Sequence, residues 1–203
     1  MAPIARSGTR TMGKGRGRTP KQEMAMEDRI AGKAYVLGDN IDTDVIIPAK
    51  YLSLSHTNPA QKGELGSHAL EALPDAFPPF IDKKTGKSPY AIIVAGDNFG
   101  CGSSRAQAPG ALSAAGVKAV VASYYARIFF RNSVNAALLI PLECEERLAE
   151  KVKTGDEVEL ILSESRMVNK TQKKEYRLRP LGAVKEILEA GDVFAYAKKV
   201  MQR

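Results

Sequence analysis

The alternation of apolar and polar positions divides the chain into segments with different expected structures. Order is expected to begin near Ile30, where the β-prone run Ala34-Tyr35-Val36-Leu37 stops at the turn cluster Gly38-Asp39-Asn40. The apolar pair Ile46-Ile47 is cut by Pro48, and residues 53–63 are polar without periodicity, which reads as a surface loop. Leu65, Ala69, Leu70 and Leu73 stand at helical spacing and predict a helix ended by Pro74. A second loop is expected from Pro78 to Pro89, with an exposed turn over Asp82–Lys87.

From Tyr90 onward strands and helices alternate. Tyr90–Ala95 is continuously apolar, as a strand buried on both faces should be. A glycine-rich loop and an alanine-rich helix follow, stopped by Gly116; Lys118–Ala122 predicts a second strand. Ser123 is expected to cap a helix through Ile128 and Phe129, and Leu138–Ile140 predicts a third strand. This order predicts a mainly parallel sheet covered on both sides, hence an α/β fold. The last third changes character: Glu157–Leu162 and Glu175–Leu178 alternate as strands, with Met167–Lys174 expected as a polar hairpin loop. A helix over Ala183–Ala190 stops at Gly191, and Asp192 can cap a final one. With no repeats and no linker after residue 30, the expected organisation is a basic, disordered extension over 1–29 and one compact domain over 30–203.

Composition adds limits. Hydrophobic residues make up 44% of the 203 and charged residues 26%, with no run as long as a bilayer span. The net charge of +7 comes from residues 1–22, which hold six of the 30 basic residues and no acid; the remainder is near neutral. That segment fits a tail or an organelle transit segment, and lacks the aromatic interleaving of a nucleic-acid-binding one. Cys101 and Cys144 are not at metal-ligand spacing, so a reducing compartment, the cytoplasm or alternatively a plastid stroma, is expected. Only two histidines, His56 and His68, are available for a nucleophilic triad.

Candidate chemistry concentrates in Gly96-Asp97-Asn98-Phe99-Gly100-Cys101-Gly102-Ser103-Ser104-Arg105, between a buried strand and a helix. Gly100 and Gly102 allow tight turning, the first amides of the helix lack partners, and Arg105 offers a planar fork for a carboxylate or phosphate. Ser104 and Gln107 stand at capping-box spacing, with Pro109 near the first turn. Counting from Gly96, Cys101 lies where a P-loop needs the second glycine that precedes its lysine, and Arg105 where a dinucleotide fingerprint needs its third glycine. Carboxylate recognition gains by that elimination. A second polar segment, Asp39-Asn40-Ile41-Asp42-Thr43-Asp44, clusters three acids; Asx turns account for Asp39 and Asn40, leaving Asp44 as the functional candidate.

These segments resemble a known family. Gly38 to Leu52, Gly96 to Arg105, and Ser123-Tyr124-Tyr125-Ala126-Arg127-Ile128-Phe129-Phe130-Arg131-Asn132-Ser133 are similar, in order, to the motifs of isopropylmalate isomerase small subunits in the aconitase superfamily. The resemblance spans Lys33 to Leu142 and continues toward Val193. It implies a swivelling β/β/α domain and a hydro-lyase that isomerises isopropylmalate through an unsaturated acid in leucine biosynthesis. It implies a heteromer, a heterodimer at its simplest, whose large subunit carries a four-iron–four-sulfur cluster on three cysteines. By the same resemblance Ser103 is the general base, Asp44 an active-site carboxylate, and Gly102, Ser104, Arg105 and Ser53 contact the hydroxy-dicarboxylic acid substrate. Arg127 and Asn132 are expected to tie their helix to the loop, while Cys101, Cys144, His68, Tyr124 and Tyr125 are assigned to packing.

Two departures bear on this. Ala106-Gln107 replaces the family's Glu-His, and Ser53-Leu54-Ser55-His56-Thr57 lacks the arginine of several archaeal relatives. Homoaconitate and methylmalate- or dimethylmalate-type substrates therefore stay open, as does a non-catalytic anion-binding module of the same fold.

Overall fold

The run that opens near Ile30 becomes the middle strand of a seven-stranded sheet in the computed structural model, which describes residues 27–202. The strands are β1 (Arg29–Val36), β2 (Tyr90–Val94), β3 (Ala119–Ala122), β4 (Ile140–Glu143), β5 (Glu157–Ile161), β6 (Arg166–Asn169) and β7 (Lys174–Arg177). Their order is β4-β3-β2-β1-β5-β6-β7. The first four are mutually parallel, with Tyr35 opposite Ile93, Ile93 opposite Val120 and Val120 opposite Pro141. From β1 outward through β5, β6 and β7 the pairing is antiparallel.

Alternation along β1 and β2 feeds two cores. Tyr35, Ile93 and Val120 face a cluster with Leu112 and Phe129, beneath helices α3 (Gln107–Ala115) and α4 (Arg127–Asn135). Ala34, Ile92, Val94 and Val121 face the opposite cluster, closed by Leu160, Met167, Tyr176 and Leu178. The expected double cover is present, but the second layer is not helical: the antiparallel half of the sheet curls over the parallel half. Both faces of β2 are thus dry, which is why Tyr90–Val94 carries no polar alternation. The tight seam between α3 and α2 (Pro59–Ser67) depends on Gly66, where an added Cβ would lie 2.6 Å from the Ala114 backbone.

Several boundaries differ from the sequence reading. The expected loop over 53–63 gives way to α2 at Pro59, because Asn58 accepts the Ala60 amide at 3.0 Å and proline suits the first helical position. That helix ends at Ser67; Leu70 has φ +58°, so Leu65 and Leu73 do not share one helix. The polar stretch after Arg166 is the strand β6, in which Met167 and Asn169 point inward and the buried Asn169 Nδ2 donates to Asp156 Oδ2 at 2.7 Å. The third strand lies at Ile140–Glu143, since Ala137, at φ +45°, is still closing α4. Gly116 and Gly191 terminate α3 and α5 (Val184–Ala190) in left-handed conformations, and Asp192 caps α6 (Val193–Met201) as expected. The basic segment 1–22 lies outside the described residues. Among the described residues no helix is long and apolar enough to cross a membrane.

Near α2, Glu71 accepts from Lys50 Nζ at 2.7 Å and Tyr51 OH at 2.8 Å, and His68 Nδ1 lies 2.6 Å away. Lys50 foremost lowers the Glu71 carboxyl to about 2. A carboxyl depressed in the folded state stabilises above its unfolded pKa and loses that contribution as pH falls through the folded one. Glu71→Gln therefore should remove about 1 kcal/mol after solvent screening. The loss is expected at neutral pH and should vanish between pH 4.5 and 2. Denaturant titrations across that window check it.

Candidate active-site surface

Two loops meet at the C-terminal ends of β1 and β2. The Asn40 amide donates to Asp97 O at 2.7 Å, and Asp39 Oδ1 accepts the Asp97 amide at 2.8 Å. Asp39 is therefore a cross-loop tie rather than the Asx turn expected of it; Asn40 likewise reaches across, its Oδ1 accepting from Asn98 Nδ2 at 2.9 Å. Arg147 joins both loops, donating to Asp39 Oδ2 and Asp97 Oδ2, each at 2.7 Å, and to Glu150 Oε1 at 2.6 Å. The Asp97 amide, followed by Arg147, holds the Asp39 carboxyl below its ordinary range.

The short helix α1 (Thr43–Ile46) carries the second tie. Asp42 caps it, accepting the Asp44 amide at 2.7 Å, and its carboxylate lies across Gly102. A Cβ on Gly102 would fall 2.2 Å from Asp42 Oδ2, at a backbone φ of +88°. Buried Thr43 donates through Oγ1 to Ser103 O at 3.1 Å and sits 3.4 Å from Ser103 Oγ, while its amide donates to Cys101 O at 2.8 Å. Ser103 and Ser104 are exposed, and the amides of Gly102, Ser103, Ser104 and Arg105 form no hydrogen bond among the described residues. The loop thus presents a hydroxyl on a surface of open donors.

Arg105 is not turned outward as a free fork. Its Nη2 donates to Asp44 Oδ2 at 2.9 Å and its Nη1 to Asp44 Oδ1, with Nη1 also donating to Ile47 O at 3.2 Å. A guanidinium has five N–H donors, and among the described residues Nε and the second Nη2 hydrogen form no hydrogen bond. Asp44 therefore orients Arg105 by its far edge. The Arg105 side chain is 13% exposed and that of Asp44 55%, so the arginine is the better buried partner of the pair.

The proposed capping box does not form. Ala106 is the N-cap of α3 without a side-chain bond, and Gln107 Nε2 donates instead to Leu52 O at 3.1 Å. Gln107 thereby pins the segment that carries exposed Ser53 beside the loop. Next to it, an added Cβ on Gly110 would meet His56 Cβ at 2.5 Å, and burial followed by Lys62 lowers the His56 imidazole, favouring its neutral form. Ser123 does not cap α4; its N-cap is Ala126, and Ser123 Oγ is buried without a hydrogen-bond partner among the described residues. Among the described residues, neither the Arg127 nor the Asn132 side chain makes a hydrogen bond or ion pair that would tie that helix to the loop. The Ala126 amide donates to Phe99 O at 3.0 Å, the Phe99 amide to Tyr124 O at 3.2 Å, and Phe129 packs directly on Gly100. Tyr125 is buried, donating to Val120 O at 2.7 Å, or alternatively to Leu142 O at 2.9 Å.

Burial, then Asp42, raises the Cys101 thiol, which keeps it protonated and poorly nucleophilic. Cys144 is buried with its Sγ donating to Arg177 O. Two separated thiols do not match the three or four that a cluster requires, so this chain's donors do not fit an iron–sulfur centre. Asp42, Thr43 and Arg147 were missed by sequence reasoning. Thr43 sits inside the acidic motif and could have been found there; Arg147, 50 residues from Asp97, gave no signal.

Residues 39–147, which contain both loops, α4 and Arg147, match the family model of the aconitase C-terminal domain. The chain belongs to the aconitase C-terminal domain family. Within this family it is 50% identical over 171 residues to the 3-isopropylmalate dehydratase small subunit 1 of Arabidopsis thaliana, covering 83% of this chain and 68% of that one. It is 44% identical over 173 residues to the small subunit 1 of Archaeoglobus fulgidus, covering 85% of this chain and 99% of the relative. A crystal structure of 3-isopropylmalate dehydratase from Methanocaldococcus jannaschii superposes with a TM-score of 0.70 at 39% identity, covering 86% and 96% of the two chains. The aconitase C-terminal fold is therefore shared from the sheet to the paired loops.

Proposed function

We propose that the chain is the small subunit of a heteromeric 3-isopropylmalate dehydratase, interconverting 2- and 3-isopropylmalate in leucine biosynthesis. The observation that carries this reading is the unfinished site: exposed Ser103, open amides from Gly102 to Arg105, and one free edge of an Arg105 already oriented by Asp44. In this reading the free Arg105 edge and the Ser104 hydroxyl hold a substrate carboxylate, with Gly102 giving close backbone approach and Ser53 bordering the side-chain end. Ser103 Oγ takes the proton from the carbon beside that carboxylate as hydroxide leaves the neighbouring carbon, forming the unsaturated acid. Adding water back with the positions of proton and hydroxyl exchanged gives the isomer. The loop amides and Arg105 stabilise charge on the serine oxygen. The four-iron–four-sulfur cluster belongs, on this proposal, to the large subunit, where it supplies Lewis-acid chemistry. Residues 30–203 act as the single swivelling domain, working in a reducing compartment, the cytoplasm or a plastid stroma.

The test is reconstitution. The chain alone should turn over nothing, whereas the pair formed with its co-purifying large subunit should generate the unsaturated acid, followed by ultraviolet absorbance, from either isopropylmalate. Because residues 53–57 lack the archaeal arginine, dehydration of citramalate and dimethylmalate and hydration of homoaconitate are assayed in parallel. An assembled pair that prefers one of these, or dehydrates none, overturns the isopropylmalate assignment.

A further inference from the structure

Outside the loop surface, an unexplained cleft lies along α4. Its volume is about 420 Å³, and it is lined by Tyr125, Phe130 and Val134, with Arg127, Arg131 and Glu143 among its polar walls. Arg127 and Arg131 are exposed, and neither has a carboxylate partner among the described residues. Arg105, Arg147, Arg166 and Arg179, by contrast, are all paired. Glu143 does not neutralise the two arginines, because its carboxylate accepts from Arg179 Nη1 at 3.1 Å. Residues four apart on a helix stand on one face, about 5–6 Å between their Cβ atoms, so the two guanidinia form a single cationic rim above an apolar floor.

We propose that this cleft is a docking surface for an acidic segment of the large subunit, bordered by apolar side chains. The inference rests on the reading above, in which the loop surface is completed by that subunit. Continuity supplies the first argument: Arg127 directly follows Ala126, whose amide is bonded to Phe99 of the loop, and half-exposed Tyr124 lies at the same junction. A partner covering Gly102–Arg105 meets the start of α4 next. Charge supplies the second, since two unpaired guanidinia call for carboxylates. Composition supplies the third: arginine and aromatic side chains around a desolvated pocket are the groups that carry interface energy. Both cations line the cleft from an exposed helix face, which suits a segment laid across it better than a small anion enclosed by it. The same helix touches the loop, because Phe129 on its inner face fills the space over Gly100.

The experiment titrates the purified large subunit with wild-type chain, Arg127→Glu/Arg131→Glu, and Arg127→Lys/Arg131→Lys, reading affinity by sedimentation and turnover at saturating partner. The charge-reversed pair should bind about 100-fold more weakly, while the lysine pair should lose far less. Turnover at saturation should stay within about twofold of wild type, and added salt should weaken the wild-type complex more than the charge-reversed one. Unchanged affinity overturns the proposal. So does lost turnover with affinity intact, which would place the arginines in the chemistry, and so does isopropylmalate shifting the α4 amide resonances of the free chain while affinity stays unchanged. Should the wild-type pair assemble but dehydrate nothing, the enzymatic reading fails while the docking result stands on its binding data.

Discussion

Ser103→Ala should lower turnover of the assembled pair by about 1,000-fold, within the range set by removing a positioned proton-transfer group. The affected atom makes no bond that holds the fold. Thr43 Oγ1 donates to the Ser103 carbonyl, which the variant keeps, and its 3.4 Å approach to Ser103 Oγ is too long to contribute much. Stability and partner affinity should therefore match wild type, and KM should change little, because Arg105 and Ser104 still hold the carboxylate. Steady-state kinetics beside a thermal melt and a binding titration check all three. Turnover within tenfold of wild type would remove Ser103 from the role of base.

Gly100→Ala should cost about 3–4 kcal/mol of stability, because overpacking and left-handed backbone strain fall on one residue. The glycine holds φ +77°, and an added Cβ would lie 2.2 Å from Phe129 Cγ and 2.4 Å from Phe129 Cβ. Phe129 is 1% exposed and packed edge-on against Phe99 at 5.1 Å, so it has no space to retreat. For a chain of this size the melting temperature should fall by roughly 10 °C. Gly155→Ala is the matched control, with φ +96° and no atom within 4 Å of the added Cβ; it should lose only the backbone contribution, about 1 kcal/mol. Equal losses in the two variants would show that Phe129 yields to the methyl group and does not lock the loop.

Elements governed by local chemistry were legible in the sequence. The unbroken apolar run at Tyr90 gives a strand buried on both faces, Gly116 and Gly191 end helices, and Asp192 begins one. Where a distant partner decides, the sequence reading failed. β6 looked polar because Asn169 is buried against Asp156, a bond invisible from its neighbours alone. The start of α2 was missed although Asn58-Pro59 signals it, because the helix buries only Leu65 and Gly66 and shows no apolar stripe. At the site, motif spacing and family resemblance selected Ser103, Arg105 and Asp44, and the structure brings Asp44 onto Arg105. The same spacing misassigned Ser104 and Gln107, since Gln107 gains more by pinning Leu52 O than by closing a box on an exposed serine. Arg147, which binds the two loops together, lies far along the chain from both and is revealed only by folding.

The most direct measurement is hydrogen exchange at the substrate carbon. In deuterated water the assembled wild-type pair should place deuterium on the carbon next to the reacting carboxylate of recovered isopropylmalate. The pair carrying Ser103→Ala, with its large subunit still bound, should leave that position protonated over the same interval. Deuterium entering at the wild-type rate without the serine hydroxyl would contradict the account.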